Sequence, residues 1–361
     1  MERSPTGGTA PCMMLPAPAL ISQSTSAIER LSKDLALQRF LKIIMGASLT
    51  DATLVGWLVR VYGQYPQVSC VDIAADPRVL RAVDEACYTL TSLGSSPPVV
   101  MMSLDVDGDP HFRKVWVDEL ACIDCGACVP TCPSQALTMH PQTGELELTE
   151  PLCYGCSRCV SDCPTEALAM QAQRQAPSLL IDMLQHPRVQ ALELHSHHAS
   201  LPELEQCFHT LAASVNVWRG KAVSLCFRPL QLEGTEALVQ YIQGFEALCQ
   251  HYQVALPLLQ LDGVPMGGSE VHTQSLPAIH AAQSVWKAFA HHAQPLTLSV
   301  TLSGGINQHT PQLLQEQRLA GQVAGVGIGT IARQWVRGAV NDADASEKAA
   351  RLLQRFTRFH T

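Results

Sequence analysis

Cys122-Ile-Asp-Cys125-Gly-Ala-Cys128-Val-Pro-Thr-Cys132-Pro133 and Cys153-Tyr-Gly-Cys156-Ser-Arg-Cys159-Val-Ser-Asp-Cys163-Pro164 hold eight of the 14 cysteines in this chain. Both stretches read C-x-x-C-x-x-C-x-x-x-C-P. The second repeats the first at an offset of 31 residues, and the likeness continues past the cysteines: Ala136 matches Ala167, Leu137 matches Leu168 and Met139 matches Met170.

This spacing is that of bacterial two-cluster ferredoxins, in which three cysteines of a run wrap one iron–sulfur cube and the fourth ligates the other. The expected sets are therefore Cys122, Cys125, Cys128 and Cys163 for one [4Fe–4S] cluster, and Cys132, Cys153, Cys156 and Cys159 for the second. Iron in such cubes takes soft thiolate ligands. Structural zinc favours two separated C-x-x-C pairs rather than triplets ending in C-P, and disulfides belong to oxidising compartments. Gly126 and Gly155 are expected to let the backbone approach the sulfurs. Pro133 and Pro164 each stand where a short helix would start. Val129, Val160, Leu137 and Leu168 are expected to shield the clusters from water.

The chain has 361 residues, too many for such a module alone. Hydrophobic residues make up 47 %, charged residues 16 %, and the net charge is −8. The negative balance and the lack of a basic patch argue against a nucleic-acid partner. No apolar run reaches the roughly 18 residues of a membrane span. Met13 to Ile21 is apolar but broken by Pro16 and Pro18, a poor secretory signal. A cytoplasmic chain is expected, with a partly disordered tail over residues 1–38 that leads into a helix from about Ala27 to Gln38. Of the six other cysteines, Cys70, Cys87, Cys207, Cys226 and Cys249 fall in apolar patterns and read as small buried hydrophobes, while Cys12 lies in the tail.

Outside the cysteine runs, strand-like segments alternate with amphipathic helices. Strands are predicted to begin near Leu41, Cys70, Val99, Ala191, Ala222, Leu256, Leu296 and Val323. Helical faces run through Val79, Leu80, Val83, Cys87 and Leu90, and through Leu238, Tyr241, Ile242, Phe245 and Leu248. Eight such units point to an α/β fold, a (β/α)₈ barrel. The only long interval, between the third and fourth strands, contains the cysteines. The expected division is thus barrel over 39–109, an inserted α+β two-cluster ferredoxin module over 110–172, the rest of the barrel over 173–340 and a C-terminal helix over 341–361.

Barrels carry function at the carboxyl ends of their strands. Ser303, Gly304 and Gly305 end the seventh strand, and Gly327 and Gly329 end the eighth; together they form a candidate site for a phosphate or a flavin phosphate. Tight turns would need the same glycines. Other polar residues near strand ends are Asp72, Asp76, Asp105, Asp107, Asp109, His195, His197, His198, Arg228, Asp262, Asn307 and His309. Asp105 to Asp109 reads as a turn rather than a calcium loop, since Gly108 is misplaced and no Glu closes it. The three histidines lack a carboxylate partner nearby in sequence, which weakens a metal site. No lysine is predicted at a strand end, and no catalytic set is complete.

Five segments carry a wider resemblance: Leu41-Lys-Ile-Ile-Met-Gly-Ala-Ser48, Cys70-Val-Asp-Ile-Ala-Ala-Asp76, Asp109-Pro-His-Phe-Arg-Lys114, Leu259-Gln-Leu-Asp-Gly-Val-Pro-Met266 and Ser303-Gly-Gly-Ile-Asn307. Together they resemble the cyanobacterial light-dependent period iron–sulfur protein family, from about residue 40 to 337. The resemblance implies a non-enzymatic redox sensor that passes the light or redox state of photosynthetic electron transport to the circadian clock. It implies as partners an electron carrier or quinone pool and clock-input sensor kinases. The loop Gly267-Gly-Ser-Glu-Val271 departs from the family pattern. The alternative reading is an oxidoreductase whose ferredoxin unit feeds a flavin or another phosphate-bearing ligand in the barrel.

Overall fold

The computed structural model describes residues 17–173, 175–229, 232–263, 271–290 and 292–356, with side chains from Ala27 onward. The loop at 267–270, the segment 264–266 and Cys12 lie outside the described residues. In chain order the elements are α1 (Ala17–Ala36), β1 (Phe40–Ile44), α2 (Ala52–Gly63), β2 (Cys70–Ile73), α3 (Pro77–Ser92), β3 (Val99–Asp105), β4 (Arg113–Val117), β5 (Leu137–Met139), β6 (Leu146–Leu148), α4 (Arg158–Ser161), β7 (Leu168–Ala172) and α5 (Pro177–Leu184). There follow β8 (Val189–Ser196), α6 (Leu201–Ala212), β9 (Ala222–Phe227), α7 (Thr235–His251), β10 (Leu256–Asp262), α8 (Leu276–Ala290), β11 (Ser299–Ser303), α9 (Thr310–Glu316), β12 (Gly325–Ile328), α10 (Thr330–Val336) and α11 (Asp342–Phe356).

Eight parallel strands close a barrel in the order β1-β12-β11-β10-β9-β8-β3-β2. All eight strands expected from the sequence are present. β3 pairs directly with β8, Asp105 opposite His195, so the cysteine module is inserted between two neighbouring staves. Local signals start the helices: Asp51 accepts a hydrogen bond from Leu54 N, and Asp76 accepts from Arg78 N and Val79 N ahead of Pro77.

α1 starts at Ala17, ten residues before the expected helix, because Pro18 falls in its first turn, where a missing N–H costs nothing. Ala27, Ile28, Leu31 and Leu35 of α1 close the amino end of the barrel against Phe40, Val99 and Leu258. Outward strand residues such as Ile43, Val71, Leu192, Leu225, Leu259 and Leu302 pack under the helices.

The inner face is different. Barrel interiors are normally filled by branched apolar side chains. Here the middle layer holds Lys42, Ser103, Glu193, Ser224, Gln260 and Thr301, each at most 2 % exposed. Asp72, His195, Cys226, Asp262 and Ser303 lie above it, also buried.

The inserted module contains two antiparallel strand pairs, β4 with β7 and β5 with β6. The duplication seen in sequence is present in the backbone. Positive φ recurs at the 31-residue offset: Asp124 and Gly155 (52° and 79°), Gly126 and Ser157 (69° and 61°), Gln135 and Glu166 (56° and 55°). Thr149 N donates to Ala136 O at 2.7 Å, and its counterpart Asp118 N donates to Ala167 O at 2.8 Å. The helices expected at Pro133 and Pro164 are turns instead. Gln135 N bonds Cys132 O and Glu166 N bonds Cys163 O, and the left-handed residues Gln135 and Glu166 then send the chain into β5 and β7.

Candidate functional site

The cysteine runs form a sulfur cradle lined by apolar side chains. Cys128, Cys153 and Cys159 are buried with Val115, Leu137 and Leu168, and Cys132 and Cys163 pack against this cluster. Val129 and Val160 pack there too, as expected of shielding residues. Backbone donors aim at sulfur: Ala136 N lies 3.2 Å from Cys132 Sγ, Ala167 N 3.2 Å from Cys163 Sγ and Val115 N 3.4 Å from Cys153 Sγ. Burial pushes the Cys132 and Cys163 thiols up. The Ser134 and Thr165 hydroxyls and the backbone N–H groups around each sulfur outweigh it and hold both below the usual thiol range. Burial, reinforced by Cys156, Cys153 and Cys132, pushes Cys159 up to about 12. A cradle of thiols with N–H groups directed at them fits an iron–sulfur cluster, whose irons take thiolates and whose potential is tuned by such donors.

The module rests on the carboxyl end of the barrel. Ser48 Oγ donates to His111 O at 2.5 Å, Lys114 Nζ donates to Thr50 Oγ1 at 2.6 Å, and Thr50 N and Asp51 N donate to Pro151 O at 3.0 and 3.1 Å. Tyr154, between Cys153 and Cys156, lies under the Arg333 guanidinium at 4.4 Å. Gly155 has no room for a side chain, since a Cβ would stand 2.3 Å from Arg113 O.

Below this contact, the barrel mouth holds a cavity of about 90 Å³. The five residues expected at a phosphate site, Ser303, Gly304, Gly305, Gly327 and Gly329, all line it, joined by Arg333. Backbone packing explains Gly305, whose Cβ would meet Gln274 O at 2.3 Å. Gly327 makes room for the stem of Lys42 and for Gln260, whose Oε1 would lie 3.4 Å from a Cβ.

Buried charges pair across the barrel. Lys42 contacts Glu193, which also accepts from Gln260 Nε2. Burial works to lower the Lys42 pKa, but Glu193 and Asp72 more than offset it, so the amine stays an ammonium. Burial, with Glu193 beside it, pushes Asp72 up to about 7. Arg228 bridges Asp262 at 3.0 Å, and His111 Nδ1 meets Asp109 Oδ1 at 2.5 Å. Burial opposes a charge on His111, yet the Asp109 contact raises its pKa and holds Asp109 well below the usual carboxylate range. Burial lowers His195.

The other residues expected near strand ends divide. Asp72, His195 and Asp262 line the cavity, and Arg228 reaches it through Asp262. Asp76 caps α3, and Asn307 accepts from His309 N at 2.9 Å, a loop contact. His195 does not join His197 and His198; Asp107 instead accepts from the backbone N–H of both. Asp105 accepts from Gly108 N and Asp109 N at 2.8 Å, the geometry of a turn. His195 also has carboxylates after all, Glu193 two residues earlier and Asp109 in space, which the sequence reading missed. It missed Lys42 as well, mid-strand rather than at an end, together with Ser103, His111, Tyr154 and Arg333. The polar positions at 193, 195, 224 and 226 alternate with apolar ones, and that was a readable signal.

Among the described residues no helix is long and apolar enough to cross a membrane. Three comparisons bear on the chain. Residues 121–167 match the 4Fe-4S dicluster domain, and residues 183–359 match the Light dependent period A C-terminal domain. Light dependent period A of Synechococcus elongatus is 30 % identical over 300 residues, covering 81 % of this chain and 79 % of that protein. Among solved structures, a truncated 3-deoxy-D-arabino-heptulosonate 7-phosphate synthase from Thermotoga maritima superposes with a TM-score of 0.41 at 12 % identity, over 88 % of this chain and 86 % of that one. The carboxyl transferase domain of Rhizobium etli pyruvate carboxylase gives 0.37 at 8 % identity, over 92 % and 52 %. Similarity at these scores carries no argument about activity. With its iron–sulfur module set into the barrel, the chain belongs to the light dependent period A family.

Proposed function

We propose that this chain is a redox sensor with two [4Fe–4S] clusters, one on Cys122, Cys125, Cys128 and Cys163 and one on Cys132, Cys153, Cys156 and Cys159. It passes the redox state of photosynthetic electron transport, and through it the light level, to the input of the circadian clock. The crossed ligation is supported by how the thiols neighbour one another: Cys163 raises Cys128 alongside Cys122 and Cys125, and Cys132 raises Cys156 and Cys159 alongside Cys153, with Cys128 also raising Cys159 where the two sets meet. Each cluster, when bound, takes up or releases one electron. The chain supplies the asymmetry. Cys125 is exposed beside Ile123 and Leu120, which favours the outer set as the port for a carrier or quinone-linked donor. The inner set lies against the barrel through Tyr154 and Arg333. A charge change there can bias a surface that clock-input sensor kinases read. The clock link rests on the relative's name.

A second reading, electron delivery to a ligand in the barrel, is favoured by the polar chamber under the glycine loops. Its volume of about 90 Å³ suits a compact ligand better than a flavin, since sites for drug-sized ligands run to roughly 300–1,000 Å³.

Anaerobic iron analysis with EPR of the reduced protein tests the proposal. About eight irons per chain are expected, and Cys132→Ser is expected to remove the signal of the inner cluster. Loss of the outer signal alone, or zinc in place of iron, overturns the ligation. For the sensing step, this chain replaces its relative in Synechococcus elongatus. The light dependence of the period is expected to persist with the native chain and to vanish with Cys132→Ser; persistence in the variant sinks the sensor reading.

A further inference from the structure

We propose that the chamber at the barrel mouth binds a small hydroxylated organic anion, with its anionic head toward Arg333 and its hydroxyls toward His195 and Gln260. This deepens the barrel-ligand reading and does not rest on how the cysteines are ligated.

The chamber is costly as a structural core. Buried polar groups cost free energy unless each finds a partner, and apolar side chains of similar size would fill a barrel better. Two deep acceptors here have none. Ser103 Oγ donates to Asp72 Oδ1 at 2.7 Å, so the proton of its 3.3 Å contact with His195 Nε2 belongs to the imidazole. Assigned from this network, His195 Nδ1 is a bare acceptor, and it has no partner. Gln260 spends its amide hydrogens on Glu193 and on Cys226 Sγ at 3.3 Å, which leaves Oε1 bare and buried. Both residues line the cavity. Two bare acceptors call for a ligand that brings donors.

The charges decide the other end of the ligand. Three cations in and around the chamber have carboxylate partners: Lys42 with Glu193, Arg228 with Asp262 and His111 with Asp109. Arg333 has none among the described residues. Its guanidinium donates to Ile44 O at 2.7 Å, to Met45 O at 2.8 Å and to Thr330 Oγ1 at 3.2 Å, and its buried Nε has no partner. A half-buried cation facing a cavity and held only by neutral oxygens and the ring of Tyr154 calls for an anion.

A metal ion fits less well. Glu193, His195 and Cys226 bring ligand atoms within 4.8 Å of one another, as do Asp109, His111 and His195, where Asp109 and His111 are already paired with each other at 2.5 Å. Both carboxylate oxygens of Glu193 are taken, by Lys42 and by Gln260, so a divalent ion would have to displace an ammonium or settle beside it.

Anaerobic calorimetry on the full chain tests the site with D-glycerate and glycerol 3-phosphate as probes, one with a carboxylate head and one with a phosphate. Propionate supplies an anion without hydroxyls, and glycerol supplies hydroxyls without an anion. At least one of the two probes is expected to bind tenfold or more tighter than either control. His195→Ala is expected to erase the advantage of the better probe over propionate. Gly329→Ala places a methyl 3.7 Å from Arg333 Nη1, an ordinary contact distance, and is expected to weaken the anionic probes about tenfold while sparing glycerol, with circular dichroism matching the parent. Propionate binding as well as the better of the two probes, no heat with either probe at millimolar concentration, or one zinc per chain lost in Cys226→Ser would each overturn the proposal. Iron is counted on the same samples. Failed binding with eight irons sinks only the barrel site, and binding with deficient iron sinks only the cluster reading.

Discussion

Lys42→Met tests whether the barrel core depends on a matched pair of buried charges. Lys42 and Glu193 are 1 % and 0 % exposed and in contact. Two unit charges about 4 Å apart attract by about 4 kcal/mol at an effective dielectric of 20. Removing one partner of a buried pair costs about 3–5 kcal/mol, because the survivor keeps its desolvation penalty. In Lys42→Met the survivor is Glu193, with only the Gln260 amide for support and Asp72 nearby. That is a large share of the roughly 5–15 kcal/mol that holds a domain folded. Glu193→Gln alone should cost somewhat less, since Asp72 remains as a partner for the ammonium. The double variant Lys42→Met/Glu193→Gln leaves only the Asp72 carboxyl, which already titrates at about 7 and can take up a proton, and should fall within about 2 kcal/mol of the parent. Urea unfolding followed by far-ultraviolet circular dichroism under nitrogen, at equal iron content, measures the cycle. A cost below 1 kcal/mol for Lys42→Met, or a double variant as unstable as the two single losses added, refutes the reasoning.

Gly155→Ala should strip iron from the inner cysteine set, because φ is +79° and the new Cβ meets backbone at 2.3 Å. Gly126→Ala meets only the end of Met139 at 3.3 Å, so its iron loss after reconstitution should be the smaller; equal losses would contradict the steric argument. His111→Gln tests the Asp109 contact. The raised His111 pKa contributes stability that is complete below about pH 6.5 and fades as pH climbs through the folded value. The parent's advantage in urea midpoint over this variant should thus be larger at pH 6 than at pH 8.5, and a constant gap argues against a charged His111.

The parts of the fold legible in sequence were those set by local pattern. Cysteine spacing located the module, and apolar runs of strand length at regular intervals located all eight staves. The interior was misread for a physical reason. A barrel strand is covered on both faces, so a polar residue in alternation with apolar ones marks the lumen rather than solvent. Lys42 in Phe-Leu-Lys-Ile-Ile and Glu193 in Ala-Leu-Glu-Leu-His both carried that mark. Contacts between distant segments left no local trace. Nothing near Tyr154 announces Arg333, and the Lys42–Glu193 pair spans 151 positions. The start of α1 was missed because Pro18 reads as a helix breaker, although a first-turn position tolerates it.

The pairing of β4 with β7 sets Arg113 opposite Ala172, so the chain enters and leaves the module side by side. To the surrounding staves such a graft is equivalent to a short hairpin: the gap it must bridge stays the same whatever is mounted on it. A barrel can therefore carry such a module at this junction without a rebuilt wall, and a different domain could be seated there by design.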